Sequence, residues 1–207
     1  MSLADDLFAG LKELNLELPA ERLETLLGYL ALLGKWNKVY NLTAIREPER
    51  MLSQHLLDSL AVLPYIKGEN ILDVGSGGGV PGIPLAIALP EKNFVLLDSS
   101  HKKTTFLKQA AIELKLPNIS VVCDRVENWQ PERRFEIVIS RAFSELALFA
   151  RLAGYLCAPH GAMLAMKGLH PHGEATQLPA NVKIDRVIPL QVPQLEAQRH
   201  LVVMKVT

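Results

Sequence analysis

Ile71-Leu72-Asp73-Val74-Gly75-Ser76-Gly77-Gly78-Gly79-Val80-Pro81-Gly82 is the stretch whose reading decides the fold. Four residues suited to a buried strand run into five glycines within eight positions, and Pro81 then presets a backbone angle suited to a first helical turn. The pattern predicts a strand, a glycine loop and a helix start. With no Cβ in the way and little penalty for positive φ, such a loop lets a small polar ligand approach the backbone closely.

Two ligands compete for the loop. Gly77, Gly79 and Gly82 satisfy G-x-G-x-x-G, the dinucleotide pattern. The other parse is Asp73-x-Gly75-x-Gly77-x-Gly79, with an acid at the strand end. It resembles the first motif of the Rossmann-like S-adenosylmethionine methyltransferases, in which a carboxylate faces the cationic amino-acid part of the cofactor. A carboxylate there would repel a diphosphate and attract an ammonium group. On this parse Gly75, Gly77 and Gly79 are the cofactor-binding glycines.

Around the loop, strand and helix patterns alternate. Phe94–Asp98 predicts a second strand, and its Asp98 lies 25 positions past Asp73, a spacing suited to holding a ribose. Ser99 or Ser100 can cap the next helix, which buries Phe106, Leu107, Ala110, Ala111 and Leu114. Further strands are predicted at Ile119–Cys123, Phe135–Ile139 and Ala162–Met166, each followed by polar residues. Val182–Leu190 and His200–Val206, with no helix pattern between them, read as an antiparallel hairpin on the sheet edge. The resulting fold class is α/β. It is a mainly parallel seven-stranded sheet with a C-terminal antiparallel hairpin, resembling the class I methyltransferase fold more than a dinucleotide-binding domain.

The first 65 residues read as helices. Leu23, Leu26, Leu27, Leu30, Leu33 and Trp36 form one stripe on a helix from near Pro19 to before Asn41. A second helix is predicted from Glu49 to Tyr65, with His55 and Asp58 three apart on its margin. No linker separates this part from the loop. The expected division is therefore a helical cap, 1–66, packed on a cofactor-binding domain, 67–207.

Composition bounds the function. The 207 residues are 49% hydrophobic and 21% charged with zero formal net charge, which disfavours a non-enzymatic module that coats nucleic acid through a basic face. Residues 1–70 hold 7 basic and 10 acidic side chains and residues 71–207 hold 15 and 12, net charges of −3 and +3. The second part can still present a local basic face. The chain begins with acids, Asp5 and Asp6, and no apolar run reaches the ~18 residues that span a membrane, so a cytoplasmic protein is expected. Cys123 and Cys157 lack metal or redox spacing and read as free thiols. His170-Pro171-His172 lacks a third ligand, so no metal is expected.

The resemblance becomes specific in five blocks taken in order: Lys35-Trp36-Asn37-Lys38-x-Tyr40-Asn41-Leu42-Thr43, His55-x-x-Asp58-Ser59, the loop with Pro81-Gly82-Ile83-Pro84, Ser140-Arg141-Ala142-Phe143, and Gln198-Arg199-His200-Leu201-Val202-Val203. Together they resemble the RsmG (GidB) family, whose members methylate N7 of one guanosine in 16S ribosomal RNA of the bacterial small subunit. The resemblance implies S-adenosylmethionine as cofactor and 16S RNA or a small-subunit particle as partner; a monomer is expected. By the same resemblance Gly75 and Val80 contact the cofactor in the loop, Val126 and Glu127 flank its adenine, and Arg141 is the arginine after the fourth strand. Many members carry Pro where this chain has Gly78, and Leu or Phe where it has Val80; both changes keep the glycine frame.

Missing motifs agree with N7 chemistry. The Asn/Asp-Pro-Pro-aromatic element used on exocyclic amines is absent after the fourth strand, and neither cysteine sits in the Pro-Cys or Thr-Cys setting that cytosine-C5 attack uses. Guanine N7 has an in-plane lone pair at neutral pH and needs no base. Lys167, Arg199 and Arg141 are the candidate RNA backbone contacts, and Asp58 is a candidate for the N1/N2 edge of the guanine. His55 completes the candidate substrate set, and Arg141 is the one candidate catalytic residue. The lysines at 102, 103 and 108 read as a solvated helix face that could also touch phosphates.

Overall fold

The computed structural model describes residues 2–143, 145–171 and 173–206. Among the described residues, seven strands form one sheet in the order β3-β2-β1-β4-β5-β7-β6. They are β1 Asn70–Val74, β2 Asn93–Asp98, β3 Ile119–Cys123, β4 Phe135–Ser140, β5 Cys157–Lys167, β6 Val182–Leu190 and β7 Arg199–Val206. The first five pair in parallel, and β7 runs antiparallel to both β5 and β6. The expected hairpin thus lies at the sheet edge, with β7 inserted between β5 and β6. Because β7 runs backwards, its first residues stand beside the last of β5, in the register Lys167↔His200. Arg199 therefore reaches the edge where the parallel strands end, which is the ligand edge of an open α/β sheet.

Helices α1 Leu3–Glu13 and α2 Ala20–Tyr40 precede the sheet. Ser2 and Asp5 close a reciprocal cap at the start of α1, and Asn41, in the left-handed region at φ 49°, ends α2. The apolar stripe of α2 buries Leu26, Tyr29, Leu30 and Leu33. These residues share one hydrophobic cluster with Ile83 and Ile87 of α5 Gly82–Ala88 and with Phe106, Leu107 and Ala110 of α6 His101–Glu113. Each buried leucine contributes on the order of 2 kcal/mol, so residues 1–66 and the sheet are held by a common core. The opposite face is covered by α7 Leu146–Ala153, whose Leu146, Phe149, Ala150 and Ala153 pack with Val202 and Met204. Among the described residues no helix is long and apolar enough to cross a membrane.

The structure departs from the sequence reading in local detail. The helix expected over 49–65 begins as α3 Pro48–Met51, widens into a π-helical turn at Leu52–Leu57, and resumes as α4 Asp58–Leu60. A 3-10 turn at Leu63–Tyr65 then follows, where Pro64 cannot donate to a continuing helix. Between β3 and β4 the chain crosses through turns over residues 124–134, which carry six charged side chains and a proline in place of an apolar stripe. Ser100 stands at the N-cap of α6, but its side chain makes no capping bond. Both cysteines are free, Cys157 being buried and Cys123 half-buried.

Candidate cofactor and base site

The glycine loop leaves β1 at the point where that strand is flanked by β2 and β4, the topological switch point of the sheet. Gly75, Gly77 and Gly79 all have positive φ, at 74°, 57° and 94°. Gly75 and Ser76 donate their N–H groups to the carbonyl of Leu97 at the end of β2, at 2.8 and 3.1 Å. A Cβ on Gly75 would stand 2.7 Å from Cβ of Ala142, and one on Gly79 would stand 2.5 Å from Ile83. Gly77 is different: a Cβ there would meet only the Gly75 carbonyl oxygen at 3.8 Å, so it would project into the open cradle. A backbone cradle that a single methyl group would fill suits the close approach S-adenosylmethionine requires.

Two acids support this cradle from below. Asp73 is fully buried, and its Oδ2 accepts the Gly82 N–H at 3.0 Å, while Oδ1 has no partner among the described residues. The unpaired N–H groups of the helix start hold one oxygen of this carboxylate under the loop. Burial pushes its pKa up to about 7, against the lowering by the Gly82 and Ser76 hydrogen bonds. Asp98 takes the Gly77 N–H on Oδ2 and the Ser100 N–H on Oδ1, both at 2.9 Å, with Lys103 Nζ 3.8 Å away. Each oxygen keeps a lone pair that a ribose hydroxyl could use.

Val126 and Glu127 follow β3, whose end is aligned with that of β2 by the register Asp98↔Cys123. Val126 is buried, with its carbonyl accepting the Tyr155 hydroxyl at 2.5 Å, and Glu127 is exposed beside Arg125. Val80 is buried and lines a small cavity of about 170 Å³ at the loop, together with Gly75, Gly77, Thr43, His55 and Arg141. A second cavity, about 300 Å³, is lined by Gln54, Asp58, Arg141, Met166, Lys167 and Arg199. Arg141 lines both.

Arg141, just past β4, is tied to the π-helical turn. Its Nη1 donates to the Gln54 carbonyl at 2.6 Å and to Asp58 Oδ2 at 3.0 Å, and its Nη2 lies 3.3 Å from His55 Nδ1. His55 Nδ1 also lies 3.1 Å from the Gln54 carbonyl oxygen, and Nε2 lies 3.0 Å from Thr43 Oγ1, so both ring nitrogens are engaged. Burial, followed by the charge of Arg141, pulls the His55 pKa down to about 4, so the ring is neutral near pH 7. Asp58 is neither a surface carboxylate nor a simple helix partner of His55. Its side chain is 1% exposed, and its second oxygen accepts from Arg199 Nε at 3.0 Å. Lys167 pairs with Glu174 at 2.9 Å, so the cations expected at an RNA backbone line a cavity, each with a carboxylate partner.

The four candidate substrate residues thus come together around Arg141, although 141 positions of sequence separate Asp58 from Arg199. Sequence reasoning missed Tyr29, whose buried hydroxyl donates to the Gly78 carbonyl at 2.6 Å and so ties α2 to the glycine loop. A signal for it existed, since a tyrosine on the stripe of Leu26, Leu30 and Leu33 must find its hydroxyl an acceptor. Glu174 and the Gln54 carbonyl carried no signal. Of the His170-Pro171-His172 fragment, His172 lies outside the described residues. His170 stacks edge-on with His200, their ring centroids 5.4 Å apart.

Comparison with known proteins agrees with this geometry. Residues 22–202 match the family described as "GidB: rRNA small subunit methyltransferase G". The chain is 58% identical over 202 residues to the ribosomal RNA small subunit methyltransferase G of Laribacter hongkongensis, covering 98% of each chain. It is 56% identical over 200 residues to that of Chromobacterium violaceum, covering 96% of each. Among solved structures, an O-methyltransferase from Bacillus cereus in complex with SAH superposes with a TM-score of 0.59 at 17% identity, over 87% of this chain and 91% of that one. The O-methyltransferase TomG from Streptomyces achromogenes, in complex with SAM, gives 0.58 at 15% identity over 86% and 89%. The structural likeness shows a class I methyltransferase fold, and the sequence likeness shows more: this chain belongs to the rRNA small subunit methyltransferase G family and is an S-adenosylmethionine-dependent methyltransferase.

Proposed function

We propose that this chain methylates N7 of one guanosine in 16S ribosomal RNA of the bacterial small subunit, acting as a monomer in the cytoplasm, where its substrate is found. The observation that carries this reading is the pair of cavities meeting at Arg141, one at the glycine loop and one of about 300 Å³ beside it. We take the first for the methionine end of the cofactor and the second for the target base. When bound, S-adenosylmethionine supplies an electrophilic methyl group on a sulfonium.

In this reading Gly75, Gly77, Gly79 and Val80 hold the cofactor, with Asp98 at its ribose and Val126 and Glu127 beside its adenine. Arg141, Lys167 and Arg199 around the second cavity hold the base in line with the methyl group, with Asp58 beneath the arginines and His55 beside Arg141 at the first cavity. Orientation of that kind can supply several kcal/mol. The state of His55 supports N7 as the acceptor: with Nδ1 and Nε2 both engaged and its pKa near 4, it is poorly placed to remove a proton. Guanine N7 needs no proton removed. We take residues 1–66 as the cap that completes the site and 67–207 as the catalytic domain.

The test is to map N7-methylguanosine in 16S RNA from cells with and without the gene. One modified guanosine should disappear on deletion and return with the wild-type gene but not with Gly77→Val. An unchanged methylation map would refute the assignment.

A further inference from the structure

Each cation lining the acceptor cavity has a carboxylate behind it. Asp58 lies beneath the cavity with its side chain 1% exposed, whereas the Arg141 and Arg199 side chains above it are 26% and 24% exposed. Its two oxygens go to different arginines, each at 3.0 Å. The π-helical turn before it adds the Gln54 carbonyl, so that Arg141 is held from two points on one element, and Arg199 Nη1 donates to the Gln198 carbonyl. Lys167 is matched by Glu174, whose other oxygen accepts the Leu146 N–H and is thereby fixed to the start of α7.

Three cations crowded around one cavity would ordinarily attract a phosphate, which any stretch of RNA offers in abundance. Here two carboxylates offset two of the three charges from within, and the two guanidinium planes are held in place.

We propose that Asp58 is the positioning residue of the acceptor cavity: by anchoring Arg141 and Arg199 and cancelling much of their charge, it makes the cavity a seat for an uncharged base and not for a phosphate. Without it, two guanidinium groups would face each other over a shared floor and either splay into solvent or capture an anion. The carboxylate therefore acts through the arginines and does not itself meet the base. This inference rests on the acceptor-cavity reading above. Wild-type transfer to 16S RNA tests that reading, and the comparison among variants tests Asp58.

Asp58→Asn preserves the shape and removes the charge. Its single-turnover methyl-transfer rate should fall at least ~10-fold, with a smaller change in the KM for RNA. Millimolar inorganic phosphate, at matched ionic strength, should inhibit this variant and leave the wild-type enzyme unaffected. Asp58→Glu, which keeps the charge, should regain resistance to phosphate. Wild-type rate in Asp58→Asn, a loss of melting temperature alone, or equal sensitivity of both proteins to phosphate would overturn the proposal. Should Asp58→Asn fail to fold, the double variant with Arg199→Gln relieves the repulsion between the two half-buried cations. Its rate should lie at least ~10-fold below that of Arg199→Gln alone, and equal rates would reduce Asp58 to a packing role.

Discussion

The glycine loop and the arginine cavity are neighbours in space, sharing Arg141, yet they are built in opposite ways. The loop is local: twelve consecutive residues, from Ile71 to Gly82, carry the strand, the positive-φ glycines and the helix start. The cavity is assembled from helix, strand-end and hairpin residues, with Asp58 83 positions from Arg141 and 141 from Arg199. In the loop, backbone shape is what a ligand would meet, since a Cβ at Gly77 would project into the cradle. In the cavity, side-chain charges do the work and must be balanced against one another. Disturbing the first should abolish ligand binding, while disturbing the second should change rate, selectivity or pH response.

The largest effect is expected at Gly77. Gly77→Val should lower S-adenosylmethionine affinity at least ~100-fold, about 2.7 kcal/mol, measured by calorimetry, while the circular dichroism spectrum stays native. Its Cβ meets no side chain, and the cost to the fold is the ~1–2 kcal/mol of a left-handed non-glycine residue. Gly79→Ala, whose Cβ would press on Ile83, should by contrast lower the melting temperature. Wild-type affinity in Gly77→Val would remove the cradle from the site.

Next in size is a pH effect on stability that contrasts the loop acid with the histidine beside Arg141. The folded pKa of His55 is depressed to about 4 from 6.5, so as pH falls through that window the unfolded chain gains a proton first and stability is lost. For Asp73 the folded pKa is raised to about 7 from 3.8, so the native state gains the proton first and stability rises as pH falls from 7 toward 4. The two oppose each other between pH 4 and 6.5, each on the order of 1 kcal/mol per pH unit. Asp73→Asn should therefore lose about 2 kcal/mol of stability relative to wild type between pH 6.5 and 4.5. His55→Gln should gain a similar amount. Urea midpoints at the two pH values decide this, and parallel curves for all three proteins would remove the linkage.

Arg141 belongs to both regions. Arg141→Ala should cut methyl transfer at least ~10-fold, about 1.4 kcal/mol, with a smaller effect on melting temperature. A variant that methylates normally but unfolds early would make Arg141 a structural tie between β4 and the π-helical turn.

The smallest expected effect is none. If N7 reacts as a neutral lone pair and His55 stays neutral, the single-turnover rate on a saturated complex should be nearly flat from about pH 6.5 to 9. A steep rise centred near pH 7 that His55→Gln removes would instead assign a proton transfer to the cavity.

Much of the fold was legible because its signals are periodic or contiguous. The stripe of α2, the apolar runs of β1, β2 and β4, and the hairpin of β6 and β7 all follow from side-chain spacing alone. The π-helical turn was not legible, since Leu52-Ser53-Gln54-His55-Leu56-Leu57 has the apolar spacing of an ordinary helix and widens where Arg141 draws on the Gln54 carbonyl. Asp73 was legible as the acid at the strand end, but its bond to the Gly82 N–H was not, because a helix N-terminus that takes one of its oxygens exists only after the loop has closed. By itself the sequence determined the glycine cradle, the likeness to methyltransferases of a parallel sheet that ends in an antiparallel hairpin, and the residue types gathered at the strand ends. Only the tertiary structure decided that Asp58 is buried, that it serves two arginines and that Arg141 stands between two cavities. The physical reason is that backbone conformation answers to near neighbours, whereas charge pairing and desolvation depend on which distant residues the sheet brings to the same edge.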